Sequence, residues 1–305
     1  MGRFAEFGWR TTGRIVSVPP AVDVPEGRIV ELPGRGSTYV IDTGAPDGPD
    51  TRPTLFLLHA LACTGVLTWY PAIEALRRTY RLVIFDQRWH GQGIRSPQFT
   101  LEDCADDVAA VADALGIDRF VCVGYSMGSL VSQLAWHRHP DRVSGVVLCA
   151  STARFTQSER EPAALRVIST RLAQAASWRL RGVAAAQSVT VPTDDHNKWA
   201  LAQLRTTKGS GIAGAVAVIS RFDSTAWIGE MDIPAAVVVT GEDHLIPPAR
   251  QLWLARQIPD AAVYEIAAGH ASVVMNTTAF IPALQAACAS VAARVSSRST
   301  APAPR

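Results

Sequence analysis

The stretch Gly124-Tyr125-Ser126-Met127-Gly128 stands directly behind the apolar run Phe120-Val121-Cys122-Val123 and ahead of a helical pattern from Ser129 to His137. A serine between two glycines, where a strand ends and a helix starts, has the form of a nucleophile elbow. A turn this tight leaves room only for glycine-sized neighbours. It forces the serine into a strained backbone conformation with its Oγ exposed above the strand ends. The N–H of Met127 falls at the helix start, where unpaired donors and the macrodipole favour negative charge. The pentapeptide therefore offers a nucleophile and half of an oxyanion hole. Gly-x-Ser-x-Gly also arises in ordinary turns, and it is the strand before and the helix after that carry the reading here.

Outward from the elbow, strands and helices alternate. Upstream, Arg28–Leu32 and Ser37–Ile41 flank Pro33-Gly34-Arg35-Gly36, a hairpin signal. After a Pro/Gly/Asp linker, Thr54–Leu58 reads as a buried strand, Val66–Tyr80 as a helix and Leu82–Phe85 as a strand. In Leu101–Leu115 an apolar face of Leu101, Val108, Val111, Ala112 and Leu115 opposes Asp103, Asp106, Asp107 and Asp113, so this segment is predicted helical. Val143–Leu148 is the next strand. The rhythm breaks between Ser151 and Glu230, where only helical patterns occur: Glu161–Ala176, Trp178–Ser188, His196–Thr206 and Ile212–Arg221. It resumes with strands at Ala235–Val239 and Ala262–Ile266 and helices at Leu252–Ile258 and Ala279–Val295.

This order predicts an α/β fold, a mostly parallel central sheet with helices on both faces and an inserted helical lid. The expected organisation is an N-terminal arm over 1–25, a core over 26–152 and 231–295, a cap over 153–230 and a flexible tail over 296–305. A connection of ~80 residues is too long for a simple loop, so the cap reads as a layer over the strand ends.

Composition narrows the class. The 305 residues are 48% hydrophobic and 18% charged, which describes a globular chain with a substantial core. A net charge of +2 with scattered basic residues argues against nucleic acid as partner. The five cysteines lack a CxxC pair, and three fall within apolar helix or strand patterns, as expected of reduced thiols in a cytoplasmic protein. Cys63 falls in a loop near the expected site and reads as a small wall residue. No signal peptide, myristoylation site or run of membrane-spanning length is read from the chain. The Phe4/Phe7/Trp9 stretch is expected to pack on its own domain. No metal or cofactor pattern is present.

Acyl-transfer chemistry by a serine needs a base beside the hydroxyl and a third group that holds the base. Asp243 follows the strand Val237-Val238-Val239, and His270 follows the last strand in Gly269-His270-Ala271. Ser126, Asp243, His270 is the serine–acid–histidine order of α/β-hydrolases. Of the other histidines, His137 and His139 read as surface residues, His196 lies in the cap, and His244 neighbours Asp243 too closely to pair with it. Glu242 is the rival acid; Asp243 is favoured because it precedes Pro247 by four residues. The second oxyanion donor is expected in the loop His59-Ala60-Leu61-Ala62-Cys63-Thr64-Gly65, at the N–H of Leu61, with Met127 supplying the first. His59 reads as a structural brace. Two such donors supply on the order of 3 kcal/mol each.

With these residues in place the chain resembles the α/β-hydrolase superfamily over nearly all of residues 27–295. Asp86-Gln87-Arg88-Trp89-His90-Gly91-Gln92-Gly93 looks like the Asp-x-Arg-Gly-His-Gly-x-Ser loop of many members. The stretch Gly124–Thr152, with His139-Pro140-Asp141-Arg142-Val143, looks like actinobacterial members of the esterase/lipase branch. Two departures stand out. Ala60 replaces the glycine usual after the histidine, and Trp89 replaces a glycine in the Asp86 loop. The first is expected to narrow or re-angle the oxyanion loop, and the second to place an indole near the pocket.

The resemblance implies hydrolysis of carboxylic esters through an acyl-enzyme, with no cofactor. The expected partner is a small ester or lipid-like substrate with an apolar acyl group. Ala60, Trp89 and Tyr125 are expected pocket residues. Dehalogenases and epoxide hydrolases of this fold carry aspartate at the elbow, and carbon–carbon bond hydrolases usually carry tryptophan after the histidine; this chain has Ser126 and Ala271. Thioesterase, acyltransferase and a catalytically weak ligand-binding protein are the alternative readings. The full set Ser126, Asp243 and His270 argues against the last.

Overall fold

A computed structural model describes residues 18–20, 23–44, 50–155 and 195–299. Its strands are β1 (Arg28–Leu32), β2 (Gly36–Asp42), β3 (Thr54–Leu58), β4 (Arg81–Phe85), β5 (Phe120–Tyr125), β6 (Val143–Cys149), β7 (Ala235–Thr240) and β8 (Ala262–Ile266). They form one eight-stranded sheet in the order β1-β2-β4-β3-β5-β6-β7-β8. The β1–β2 and β2–β4 pairs are antiparallel and all the others parallel. The predicted α/β architecture is the observed one.

Side-chain alternation sorts the core into two layers. Leu55, Leu57, Ile84, Val121, Val123, Tyr125, Val147 and Val238 point to one face. There they meet α1 (Gly65–Arg77) and the last helix, α8 (Thr277–Ser299). Phe56, Leu58, Phe85, Cys122, Val146, Leu148 and Val237 point to the other face, against α2 (Leu101–Ala114), α3 (Met127–Arg138) and α6 (Pro248–Gln257). Burial on both sides explains why the central strands read as unbroken apolar runs. Helix starts follow capping chemistry: Thr64 Oγ1 accepts from Leu67 N at 3.1 Å and Thr100 Oγ1 from Asp103 N at 2.9 Å.

Helix α8 differs from expectation in two ways. It runs through Ser299, so the first residues of the predicted tail are helical. Its Thr277–Arg298 stretch is also long and apolar enough, by length and composition, to cross a membrane, contrary to the reading that no run approaches that length. The fully buried Phe280, Leu284, Ala287 and Val291 recur at helical spacing and pack on the sheet, which accounts for the apolar composition.

Between β6 and β7 two α-helices are described, α4 (Asp195–Thr206) and α5 (Gly209–Ile219), close to the predicted His196–Thr206 and Ile212–Arg221. The predicted helices Glu161–Ala176 and Trp178–Ser188 lie outside the described residues. The segment leaves and rejoins the core at one place. Phe155 N donates to Phe222 O at 3.3 Å, Ser224 N donates to Ala153 O at 2.7 Å, and Arg154 pairs with Asp223 at 2.7 Å. Buried Gln133 of α3 ties both ends to the core: its Nε2 donates to Ser151 Oγ and Thr152 O, each at 3.1 Å, and its Oε1 accepts from Ser224 Oγ at 2.7 Å. Further along, Trp199 of α4 stacks edge-on against Tyr70 at 5.0 Å. The described part of the N-terminal arm joins the same patch, since Tyr70 Oη donates to Pro19 O and Val18 N to Asn197 Oδ1.

Candidate active site

Ser126 sits at the end of β5 with φ 53° and ψ −114°. This is a left-handed conformation that a non-glycine residue holds only under strain, as the elbow requires. Both flanking glycines are there for space. A Cβ on Gly124 would meet Ser129 Cα at 2.5 Å, and one on Gly128 would meet the Leu58 carbonyl carbon at 2.5 Å. The backbone of α3 thus packs directly on β3 and β5, which carries Ser126 to the sheet's carboxyl edge.

The three expected residues converge there. His270 Nε2 lies 2.9 Å from Ser126 Oγ, and His270 Nδ1 lies 2.6 Å from Asp243 Oδ2. An ionised carboxylate only accepts, so Nδ1 carries the imidazole proton and Nε2 is left to accept from the serine hydroxyl. Asp243 is buried, and the surrounding loop completes its hydrogen bonds. Oδ1 accepts from Leu245 N at 2.8 Å and Ile246 N at 2.9 Å, while Oδ2 also accepts from Thr240 Oγ1 at 2.8 Å. Burial alone would raise its pKa. The hydrogen bond and charge of His270, with the Ile246 amide and the Thr240 hydroxyl, outweigh burial and hold it below the ordinary carboxylate value. Glu242, the rival acid, is exposed and is not the partner of His270.

Buried Gln251 of α6 fixes this loop. It accepts from Thr240 N at 3.0 Å and donates to Thr240 Oγ1 at 2.8 Å and Ile246 O at 2.7 Å. Sequence reading passed over Thr240 and Gln251. A signal was available for Thr240, the one polar residue of the apolar strand β7 and close to the acid.

In the loop after β3, the His59 ring bridges two segments. Gln87 N donates to Nε2 at 2.8 Å, so the proton sits on Nδ1, which donates to Ala60 O at 2.8 Å. Burial, and then the neighbouring His90, hold its pKa well below the usual histidine range, which keeps this tautomer neutral. The Ala60 carbonyl and the Leu61 N–H belong to one planar trans peptide, so fixing the first aims the second in the opposite direction. Ala60 itself does not have positive φ; Ala62 does, at 66°. Glycine is therefore not required at position 60, which explains how this departure is tolerated. Cys63 has its thiol pushed up to about 11 by burial, as befits a wall residue.

Trp89, expected as a pocket wall, is half-buried and, like Leu61, packs against the apolar cluster that contains Met127. Its φ is 65°, a left-handed value suited to the glycine it replaces. Its indole N–H donates to Ser96 O at 2.8 Å, and its ring leans on Phe99 at 5.2 Å. The opposite side packs under α5, where Gly211 and Gly214 make room for it. Asp86, in the same loop, accepts from Gly65 N at 2.8 Å and Gln92 N at 2.7 Å, and Arg88 forks onto buried Asp107 at 2.9 Å through both nitrogens.

The expectation that Tyr125 lines the pocket is not met. It lies on the Val121-Val123 side of β5, buried beside Trp69 and Phe280. Strand parity alone places it there, since residues 121, 123 and 125 share a face. Its hydroxyl reaches upward to the carbonyl of His270 at 2.7 Å. On the outer side of His270 a groove of about 330 Å³ runs between the Asp243 and His270 loops, walled by exposed Leu245 and Met275.

Comparison with known proteins bears on the fold and the family. The chain is 28% identical over 243 residues to a pimeloyl-[acyl-carrier protein] methyl ester esterase of Chromobacterium violaceum, covering 76% of this chain and 92% of that one. It is 24% identical over 237 residues to 3-oxoadipate enol-lactonase 1 of Acinetobacter baylyi, covering 77% and 88%. The crystal structure of the enol-lactonase from Burkholderia xenovorans superposes with a TM-score of 0.70 at 24% identity, covering 86% and 100%. These relatives are proteobacterial, so the likeness of Gly124–Thr152 to actinobacterial esterase/lipase-branch members finds no support among them. The family described as alpha/beta hydrolase fold matches residues 53–276, and the chain is a hydrolase-type member of that family.

Proposed function

We propose that the protein hydrolyses carboxylic esters through an acyl-enzyme on Ser126. The observation that carries this reading is the hydrogen-bonded line from Ser126 Oγ through His270 to Asp243, at 2.9 and 2.6 Å. In the first half-reaction Oγ attacks the ester carbonyl while its proton passes to His270 Nε2. Asp243 stabilises the imidazolium so formed, and the Leu61 and Met127 N–H groups receive the oxyanion. Collapse of the tetrahedral intermediate breaks the acyl–oxygen bond, and the Nε2 proton leaves with the alcohol. Water then attacks the acyl-enzyme, giving its proton to Nε2, and the carboxylic acid departs as Oγ is reprotonated.

Support for an ester over a thioester comes from the names of the relatives, an ester esterase and a lactonase, both of which describe acyl–oxygen cleavage. Leu61 and Met127 join Ala215 and Ile219 of α5 in or against one apolar cluster, which favours an apolar acyl group beneath a cap. A small ester or lipid-like molecule is the proposed substrate. The five unpaired thiols fit a cytoplasmic setting.

Replacing Ser126 with alanine is expected to lower p-nitrophenyl butyrate turnover by at least 10³-fold and to remove fluorophosphonate labelling, leaving the folded chain intact. Undiminished turnover in that variant sinks the proposal.

A further inference from the structure

Three consecutive carbonyls in the loop after β8 have hydrogen-bond partners of different kinds. Gly269 O accepts from Ser272 N at 3.1 Å, and Ala271 O accepts from Met275 N at 2.8 Å, both local backbone bonds. Between them, His270 O accepts from a side chain 145 residues distant in sequence, the hydroxyl of Tyr125 at 2.7 Å. That hydroxyl also lies 3.0 Å from Ser272 Oγ, at the start of the short helix α7 (Ser272–Met275). The phenol gives its one proton to the His270 carbonyl, which leaves its oxygen to accept from Ser272 Oγ.

The ring is as fixed as the hydroxyl. Tyr125 is 1% exposed, with Trp69, Phe280 and the His270 imidazole against it at centroid distances of 6.3, 5.4 and 6.0 Å. Desolvation raises the phenol's pKa, so it keeps its proton and remains a donor. The His270 side chain, by contrast, is 24% exposed. Tyr125 is covalently next to Ser126. One rigid side chain therefore grips the backbone of the base from the backbone of the nucleophile.

We infer that Tyr125 is a positioning residue for the reaction: its hydroxyl clamps the His270 peptide and so fixes where Nε2 stands relative to Ser126 Oγ and where Nδ1 stands relative to Asp243. It touches no substrate. Its effect lies in the fraction of time that the serine–histidine–aspartate line is in register. This rests on the ester-hydrolase reading for its kinetic consequence, though not for the geometry itself.

The test is Tyr125→Phe in the full chain, which keeps the ring and removes only the hydroxyl. Near-ultraviolet circular dichroism verifies that the aromatic packing is retained. The expected result is a fall in kcat of about tenfold with KM within twofold of the parent, on the scale of a lost positioning hydrogen bond. Alongside it, the low-field proton resonance of His270 Nδ1–H is expected to be sharp in the parent and broadened or lost in the variant. Unchanged kcat, a loss confined to KM, or a loss of kcat with the resonance unmoved overturns the inference, because a purely stabilising tyrosine gives one of these patterns. If the parent itself fails to turn over esters, the proposed activity falls separately, and the Nδ1–H resonance alone decides the clamp.

Discussion

Gly214 of α5 lies so close to Trp89 that a Cβ added there would stand 2.7 Å from Cζ3 of the indole. Gly211, one turn earlier, faces the backbone and Cβ of the same tryptophan. The bulky residue in the Asp86 loop and the two small residues in the helix above it fit together. Gly91 N, donating to Thr207 Oγ1 at 3.1 Å, adds a polar contact beside them.

Gly214→Val is expected to displace α5 from this seat. Overpacking of this kind costs about 1–3 kcal/mol. The melting temperature should fall, and KM for a medium-chain p-nitrophenyl ester should rise more than kcat falls, because Ser126, His270 and Asp243 stand on the core and not on α5. Thermal unfolding and steady-state kinetics on the same preparation check both. Unchanged stability would mean that the indole yields and that the glycines are not needed.

His59→Ala removes the donor that fixes the Ala60–Leu61 peptide. With one oxyanion donor misaligned, kcat is expected to fall by about 10- to 100-fold, while KM changes little. His59→Asn retains an N–H close to the position of Nδ1 and should recover part of the loss. Equal activity in all three proteins would remove His59 from any role in aiming the Leu61 N–H.

The depressed pKa of Asp243 has a stability consequence with a definite sign. A carboxylate whose folded pKa lies below its unfolded value of about 3.9 binds fewer protons when folded, so its ionised form stabilises the fold. That contribution is complete above about pH 4 and is lost as pH falls through the lowered folded value. Wild type should therefore exceed Asp243→Asn in stability at neutral pH, with the gap closing below about pH 4. Urea denaturation of both proteins from pH 2.5 to 7 measures it. A gap that widens toward acid would contradict the assignment.

Much of this fold is legible as pattern. Strands that are buried on both faces read as apolar runs, and the elbow, acid and histidine fall at successive strand ends, where parallel α/β topology gathers loops at one edge. Asp243 could be chosen over Glu242 from its offset to Pro247, and it is the carboxylate that lies against His270. What pattern could not supply was direction. Tyr125 sits beside the nucleophile in sequence, yet strand alternation turns it into the core. The glycines that partner Trp89 lie more than a hundred residues later, and no local signal joins them. Gln251 and Gln133 are silent for the same reason. A buried polar side chain is explained by partners that only the folded chain brings within reach.

The place where the chain leaves and rejoins the sheet between β6 and β7 has a wider meaning. The chain departs at Phe155 and returns at Phe222 through a pair of hydrogen-bonded backbones, pinned from below by Gln133. Strands β6 and β7, which flank the interruption, are already neighbours in the sheet. Everything between those two phenylalanines is thus a closed excursion with both feet on one spot. It can be shortened, lengthened or exchanged for another without rethreading a strand or moving Ser126. Diversification of substrate preference in such a chain is open to wholesale replacement of one contiguous stretch, while the reacting groups below are inherited unchanged.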